Sequence, residues 1–283
     1  MKTKLILLLI TGFLLFNNNA SAQDPNFFVF LSFGQSNMEG PATIEEQDKI
    51  VDERFRLLSS VDCPNLTRVM GTWYSAVPPL CRCNTKLSPA DYFGRTMVEN
   101  LPSNVRVGII NVSVAGSKIE LFDKASYQTY MTTVAPWMLN IIKEYGGSPY
   151  DRLVEMAKIA QKQGVIKGIL LHQGESNTGD TAWPAKTKKV YDDLLRDLNL
   201  PPNSLPLLAG ETVNADQQGR TASMNQIIAT LPQTIPTAVV VPSDGCTAAG
   251  DHLHFNSAGI RKFGKRYAAK MLAALGYKAP VVE

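Results

Sequence analysis

The sequence predicts an α/β fold: one three-layer α/β/α domain on a parallel sheet of about five strands. Three observations carry that expectation. Five short apolar runs recur along the chain, segments of helical period separate them, and 283 residues with 45% hydrophobic content and no Gly/Ser or Pro-rich linker suffice for one large core.

The elements follow in chain order. Residues 1–22 read as a signal peptide, with Lys2 and Lys4, an apolar run from Leu5 to Phe16, and Ala20-Ser21-Ala22 as a small-residue cleavage site. The run is shorter than the roughly 20 residues of a spanning helix. The domain is therefore expected over 23–283, secreted or periplasmic, with no membrane insertion after cleavage. Phe27 to Phe33, Val105 to Val112, Val165 to Leu171, Leu205 to Gly210 and Ala238 to Pro242 read as buried parallel strands. Helical period marks Pro89 to Glu99, Tyr150 to Gln163, Trp183 to Leu198, Arg220 to Leu231 and Asn256 to Leu275. Such alternation calls for helices on both faces of the sheet. Residues 43–86 fit neither period and read as a loop-rich insertion.

That insertion holds Cys63, Cys81 and Cys83, and the fourth cysteine is Cys246. An even count in an exported chain favours two disulfides, and a Cys81–Cys83 bridge across one residue would be strained, so each of those two is expected to pair elsewhere. Loss of Lys2 and Lys4 with the leader takes the formal charge from +3 to +1. That balance argues against a nucleic-acid partner.

In open parallel sheets, ligands sit beyond the carboxyl ends of the strands. Four polar segments follow the predicted strands there. The first, Gly34-Gln35-Ser36-Asn37-Met38-Glu39-Gly40, offers Ser36 as a nucleophile on a turn with free backbone N–H groups around it. After the second strand, Ser113-Val114-Ala115-Gly116-Ser117 offers the Gly116 N–H as an oxyanion donor. The third, His172-Gln173-Gly174-Glu175-Ser176-Asn177, offers Gln173 or Asn177 as an amide donor and Glu175 to orient a histidine. Asp251-His252-Leu253-His254-Phe255 follows the last strand, at a spacing that lets Asp251 hold one ring nitrogen of His254 while the other faces the serine. Gln35, Asn37 and Asn177 are the polar side chains expected to meet substrate.

These segments together resemble the SGNH hydrolase superfamily, whose fold is flavodoxin-like. Within it they are similar to the sialic-acid-specific acetylesterase domain and carbohydrate esterase family six. The matching residues are Gly-Gln-Ser-Asn-Met-Glu-Gly at 34–40, His-Gln-Gly-Glu-Ser at 172–176 and Asp-x-x-His-Phe at 251–255, and the likeness runs from Phe27 to about Leu275. It implies Ser36 as nucleophile, His254 as base, Asp251 or Glu175 as the orienting acid, and an oxyanion hole of Ser36 N–H, Gly116 N–H and the Gln173 side chain. It implies no metal or organic cofactor, and an acetylated oligo- or polysaccharide as substrate. Acetylxylan is the leading expectation; a sialate O-acetylesterase, or a non-catalytic glycan-binding protein on the same fold, is the alternative. Trp73 and Tyr74 are expected to stack on sugar rings. Arg54, Arg56, Arg68, Arg82 and Arg95 are the candidates for a sialic-acid carboxylate.

Overall fold

The computed structural model describes residues 23–282, so the expected signal peptide at 1–22 lies outside the described residues. Strands β1 (Asp24–Gly34), β2 (Phe55–Leu58), β3 (Trp73–Ser75), β4 (Arg106–Ser113), β5 (Gly164–His172), β6 (Leu207–Gly210) and β7 (Ala238–Val241) form one sheet, in the order β3-β2-β4-β1-β5-β6-β7. All neighbours are parallel except β3, which runs antiparallel to β2. The five apolar runs all become strands. The other two, β2 and β3, lie inside the 43–86 stretch that has no clear period.

Between the strands run α1 (Ser36–Glu39), α2 (Pro89–Asn100), α3 (Tyr127–Met131), α4 (Pro136–Glu144), α5 (Pro149–Gln161), α6 (Trp183–Asp197), α7 (Met224–Ile228) and α8 (Leu231–Thr234), and α9 (Ser257–Ala274) follows the last strand. Helix starts follow local chemistry. Pro occupies the first turn of α2 and α5, where its missing N–H costs no bond. The Asn256 side chain caps α9 by accepting from Gly259 N at 2.9 Å.

Alternation along β1 sorts its side chains into two cores. Phe28 and Phe30 face α2 and α9, where Phe30 meets Phe93 edge-on with centroids 4.9 Å apart. Phe27, Val29, Leu31 and Phe33 face α5 and α6. Each fully buried phenylalanine contributes about 1.5–3 kcal/mol by leaving water.

Strand β1 stands between β4 and β5, at the point where the chain has finished one half of the sheet and crosses to the other. That topological switch is where a parallel sheet opens a crevice beyond its strand ends.

The 43–86 insertion is fixed in three places. Asp48, fully buried, accepts from Arg261 of α9 through Nε at 3.0 Å and Nη2 at 2.8 Å. Arg68 donates to the carbonyls of Pro79 and Val77 at 2.6 and 2.5 Å. Cys63 is bonded to Cys83. The expected second disulfide is absent: Cys81 and Cys246 are buried free thiols. The reason is positional, since Cys81 packs into the core on the α5 and α6 face and Cys246 into the core beneath α9. The sheet separates them. Among the described residues no helix is long and apolar enough to cross a membrane.

Candidate active site

Four chain segments meet beyond the carboxyl ends of the central strands. The first turns at Gly34, where φ is +151° and a Cβ would collide with the His172 carbonyl; glycine alone lets β1 leave the sheet this close to β5. Gln35 N–H donates to that same carbonyl at 2.9 Å, and the next residue, Ser36, opens α1. Its backbone N–H has no acceptor among the described residues.

Ser36 Oγ lies 2.9 Å from His254 Nε2, although 218 residues separate them. On the far side of the ring, His254 Nδ1 lies 2.6 Å from Asp251 Oδ2. The other Asp251 oxygen accepts from the N–H groups of Leu253 at 3.0 Å and His254 at 2.9 Å. Partial burial opposes the charge on Asp251, but these N–H groups and the His254 ring outweigh it and bring the carboxyl down to about 2. A hydroxyl, an imidazole and an ionised carboxylate thus stand in one hydrogen-bonded line, the arrangement that a serine nucleophile, its base and an orienting acid require.

Glu175, the other candidate acid, sits elsewhere. Its Oε1 is 2.9 Å from His172 Nε2 and accepts from Asn37 Nδ2 at 2.7 Å, so it pairs with His172 and not with His254. Burial works against its charge, yet His172 and Asn37 together hold its pKa below the usual glutamate value.

The three side chains expected to meet substrate are buried: Gln35, Asn37 and Asn177 are 2%, 0% and 4% exposed. Gln35 Oε1 gathers Gln173 Nε2, Gly174 N and Ser176 N at 3.2, 3.4 and 3.2 Å, tying the β5 loop to the serine turn. Asn177 accepts from Ile119 N and Gln173 Nε2, and donates to Glu120 and Asp180. These residues brace the site from beneath.

Gln173 is braced too. Its Oε1 accepts from Trp183 Nε1 at 2.5 Å, and its two amide hydrogens face Asn177 Oδ1 at 2.7 Å, Ser117 O at 3.2 Å and Gln35 Oε1 at 3.2 Å. Donation to a substrate oxygen would require exchanging one of those bonds. Gly116, by contrast, is exposed at φ +69°, and its N–H has no acceptor among the described residues. Its loop is held by Glu39 Oε1, which accepts from Ala115 N at 3.1 Å and pairs with Arg82 at 2.6 Å, and by Ser176 Oγ, which donates to Gly116 O at 2.9 Å. The sequence marked Glu39 only as part of the serine motif.

Beside the triad a shallow cleft of about 240 Å³ is lined by Pro41, Thr43, Ala249, Asp251, His254 and Asn256, among others. Trp73 is far from it: its ring packs on Phe27 and Gly108, towards the opposite end of the sheet. Tyr74 is bonded to Val69 N in the insertion. The five candidate arginines are all engaged within the protein, Arg54 with Asp52, Arg82 with Glu39 and Glu144, and Arg56, Arg68 and Arg95 with backbone carbonyls. Among the described residues no group of three His, Cys, Asp or Glu side chains is arranged to hold a metal ion.

Comparison with known proteins gives a consistent picture. The family described as "Carbohydrate esterase, sialic acid-specific acetylesterase" matches residues 26–273. Among solved structures the chain is similar to a protein from Arabidopsis thaliana, at 20% identity and a TM-score of 0.67 over 88% of this chain and 99% of the other. It is also similar to a carbohydrate acetylesterase from Xanthomonas citri, at 18% identity and a TM-score of 0.61 over 88% of this chain and 57% of that one. NanS matches at 16% identity and a TM-score of 0.61, over 89% of this chain and 98% of its own. At such identities the structural likeness speaks for a shared fold.

Proposed function

Since the chain belongs to the sialic acid-specific acetylesterase family of carbohydrate esterases, we propose that it removes O-acetyl groups from a sialic-acid-type sugar through an acyl-enzyme on Ser36. As a member of that family it is a hydrolase of carbohydrate acetyl esters. The narrower choice of sugar is supported by the family's description, which names sialic acid, over the acetylxylan that led from sequence.

The observation that carries the mechanism is the line Ser36 Oγ, His254, Asp251 at 2.9 and 2.6 Å. In the first half-reaction His254 Nε2 takes the Ser36 proton as Oγ bonds to the acetyl carbon. Charge builds on the former carbonyl oxygen, and the Ser36 and Gly116 N–H groups are the donors left open to receive it. Asp251 steadies the imidazolium. Collapse breaks the bond to the sugar oxygen, which leaves with the proton from His254. Water then gives its proton to His254 and attacks the acetyl-serine, and Ser36 departs with that proton, releasing acetate.

The test is acetate release from O-acetylated sialic acid and from acetylated xylan, by the protein and by its Ser36→Ala form. Serine-dependent release from the first alone is expected. Release from xylan alone would return the substrate to a neutral glycan, and release from neither would favour the non-catalytic binding reading.

A further inference from the structure

Trp137, in the first turn of α4, leaves 53% of its surface in solvent, which is unusual for the largest apolar side chain. It is not a loose surface residue. A Cβ built on Gly116 would lie 2.9 Å from Trp137 Cη2, so the indole edge rests directly on the glycine whose N–H faces the developing oxyanion. The next residue, Met138, is buried in the core and accepts a hydrogen bond from Tyr130, whose own hydroxyl accepts from Lys118 N on the Gly116 loop. The ring is thus anchored behind, half exposed in front, and in contact with the Gly116 loop.

We propose that the exposed face of Trp137 is a substrate subsite that stacks on the pyranose ring bearing the acetyl ester. This rests on the reading of the protein as a carbohydrate acetylesterase. Sugar rings present a patch of C–H groups on one face and hydroxyls around the rim, and an indole standing half in water meets the first while leaving the second solvated. An acyl methyl would call for a small enclosed pocket, and Trp137 offers an open plate. Any aliphatic ester reaching the Gly116 N–H can be cleaved without Trp137; only a ring large enough to lie across it gains from the contact.

The experiment compares the full-length protein with Trp137→Ala and Trp137→Tyr on two esters, an O-acetylated sugar and ethyl acetate. Expected is a rise in KM of about tenfold for the sugar with Trp137→Ala, partial recovery with Trp137→Tyr, and kcat/KM for ethyl acetate within about twofold of the parent. Equal losses on both esters would overturn the subsite, because Trp137 would then act by propping the Gly116 loop. Unchanged kinetics on both would overturn it as well. A parent protein that cleaves ethyl acetate but no sugar ester would defeat the carbohydrate reading and the subsite together, whereas sugar cleavage indifferent to Trp137 defeats the subsite alone.

Discussion

Glu175 accepts a 2.7 Å hydrogen bond from the Asn37 side chain, and through Asn37 it bears on the loop that carries the base. Asn37 Nδ2 also donates to Leu253 O at 3.1 Å, and Asn37 Oδ1 accepts from Phe255 N at 3.1 Å. The amide therefore grips the backbone on both sides of His254 from a residue adjacent to Ser36. With both hydrogens and the oxygen spent, Asn37 has one orientation, and Ser36 and His254 are set in register by it.

The Asn37→Asp variant keeps an acceptor for Phe255 N, loses both donors and places a second carboxylate against Glu175. Its kcat is expected to fall by about 100-fold with little change in KM, as a displaced base would dictate. Steady-state kinetics on a variant checked by circular dichroism decides this, and an unchanged kcat would remove Asn37 from any role in positioning.

Asp251 and Glu175 separate by what their loss does. Asp251 is 46% exposed and touches His254, so Asp251→Asn should lower kcat by roughly 10²- to 10⁴-fold at nearly constant melting temperature. Glu175→Leu removes a buried charge partner of His172 and should lower the melting temperature markedly. Kinetics and thermal melts on both variants supply the comparison; the reverse pattern would make Glu175 the orienting acid.

Because Asp251 is held down to about 2, it stays ionised throughout a practical assay range. Folded and active protein should therefore lose kcat/KM on the acid side with a slope no steeper than one, because Asp251 adds no titration in that range. A slope of two above pH 4 would show a second essential group titrating there.

The two free thiols give a sharp count. Burial raises Cys81 to about 12 and Cys246 to about 11, which leaves almost no thiolate at neutral pH. Ellman's reagent should find none in the native protein and two per chain in denaturant without reductant. None in denaturant would restore the two-disulfide arrangement.

Asp91, in the first turn of α2, supplies a stability test. Burial raises its carboxyl to about 7, against the lowering effect of its bonds from Ser88. Between pH 4 and 7 the unfolded chain has lost this proton while the folded chain retains it, so the group's contribution falls as pH rises, by about 1.4 kcal/mol per unit at most. Urea unfolding across that range should show a shallower loss in Asp91→Asn than in the parent; parallel slopes would place the Asp91 ionisation at its ordinary value.

The buried strands were legible because a parallel strand covered on both faces is apolar throughout, and Ser36, His254 and Asp251 because each follows such a run. Strands β2 and β3 were not, since runs of four and three residues are too short to carry a period. The cysteine count suggested two bridges, but a count carries no information about which side of the sheet each residue packs on. Gln35, Asn37, Gln173 and Asn177 were visible as polar residues in the right loops; that their amides are consumed in bonding those loops together depends on contacts across as many as 218 residues. Trp137 lies in a stretch with no strand before it to draw attention. Its only sequence cue is its place in the long connection after Gly116.

The spread of the triad along the chain bears on when activity can arise. Ser36 lies just after the first strand, while Asp251 and His254 come after the last, immediately before the helix that packs against α2. A chain cut before residue 251 retains the nucleophile and both open N–H donors but has no base. Contacts of such sequence separation form late, so esterase activity during refolding should reappear only with the final docking of α9, and a turnover signal serves as a clock for completion of the whole sheet.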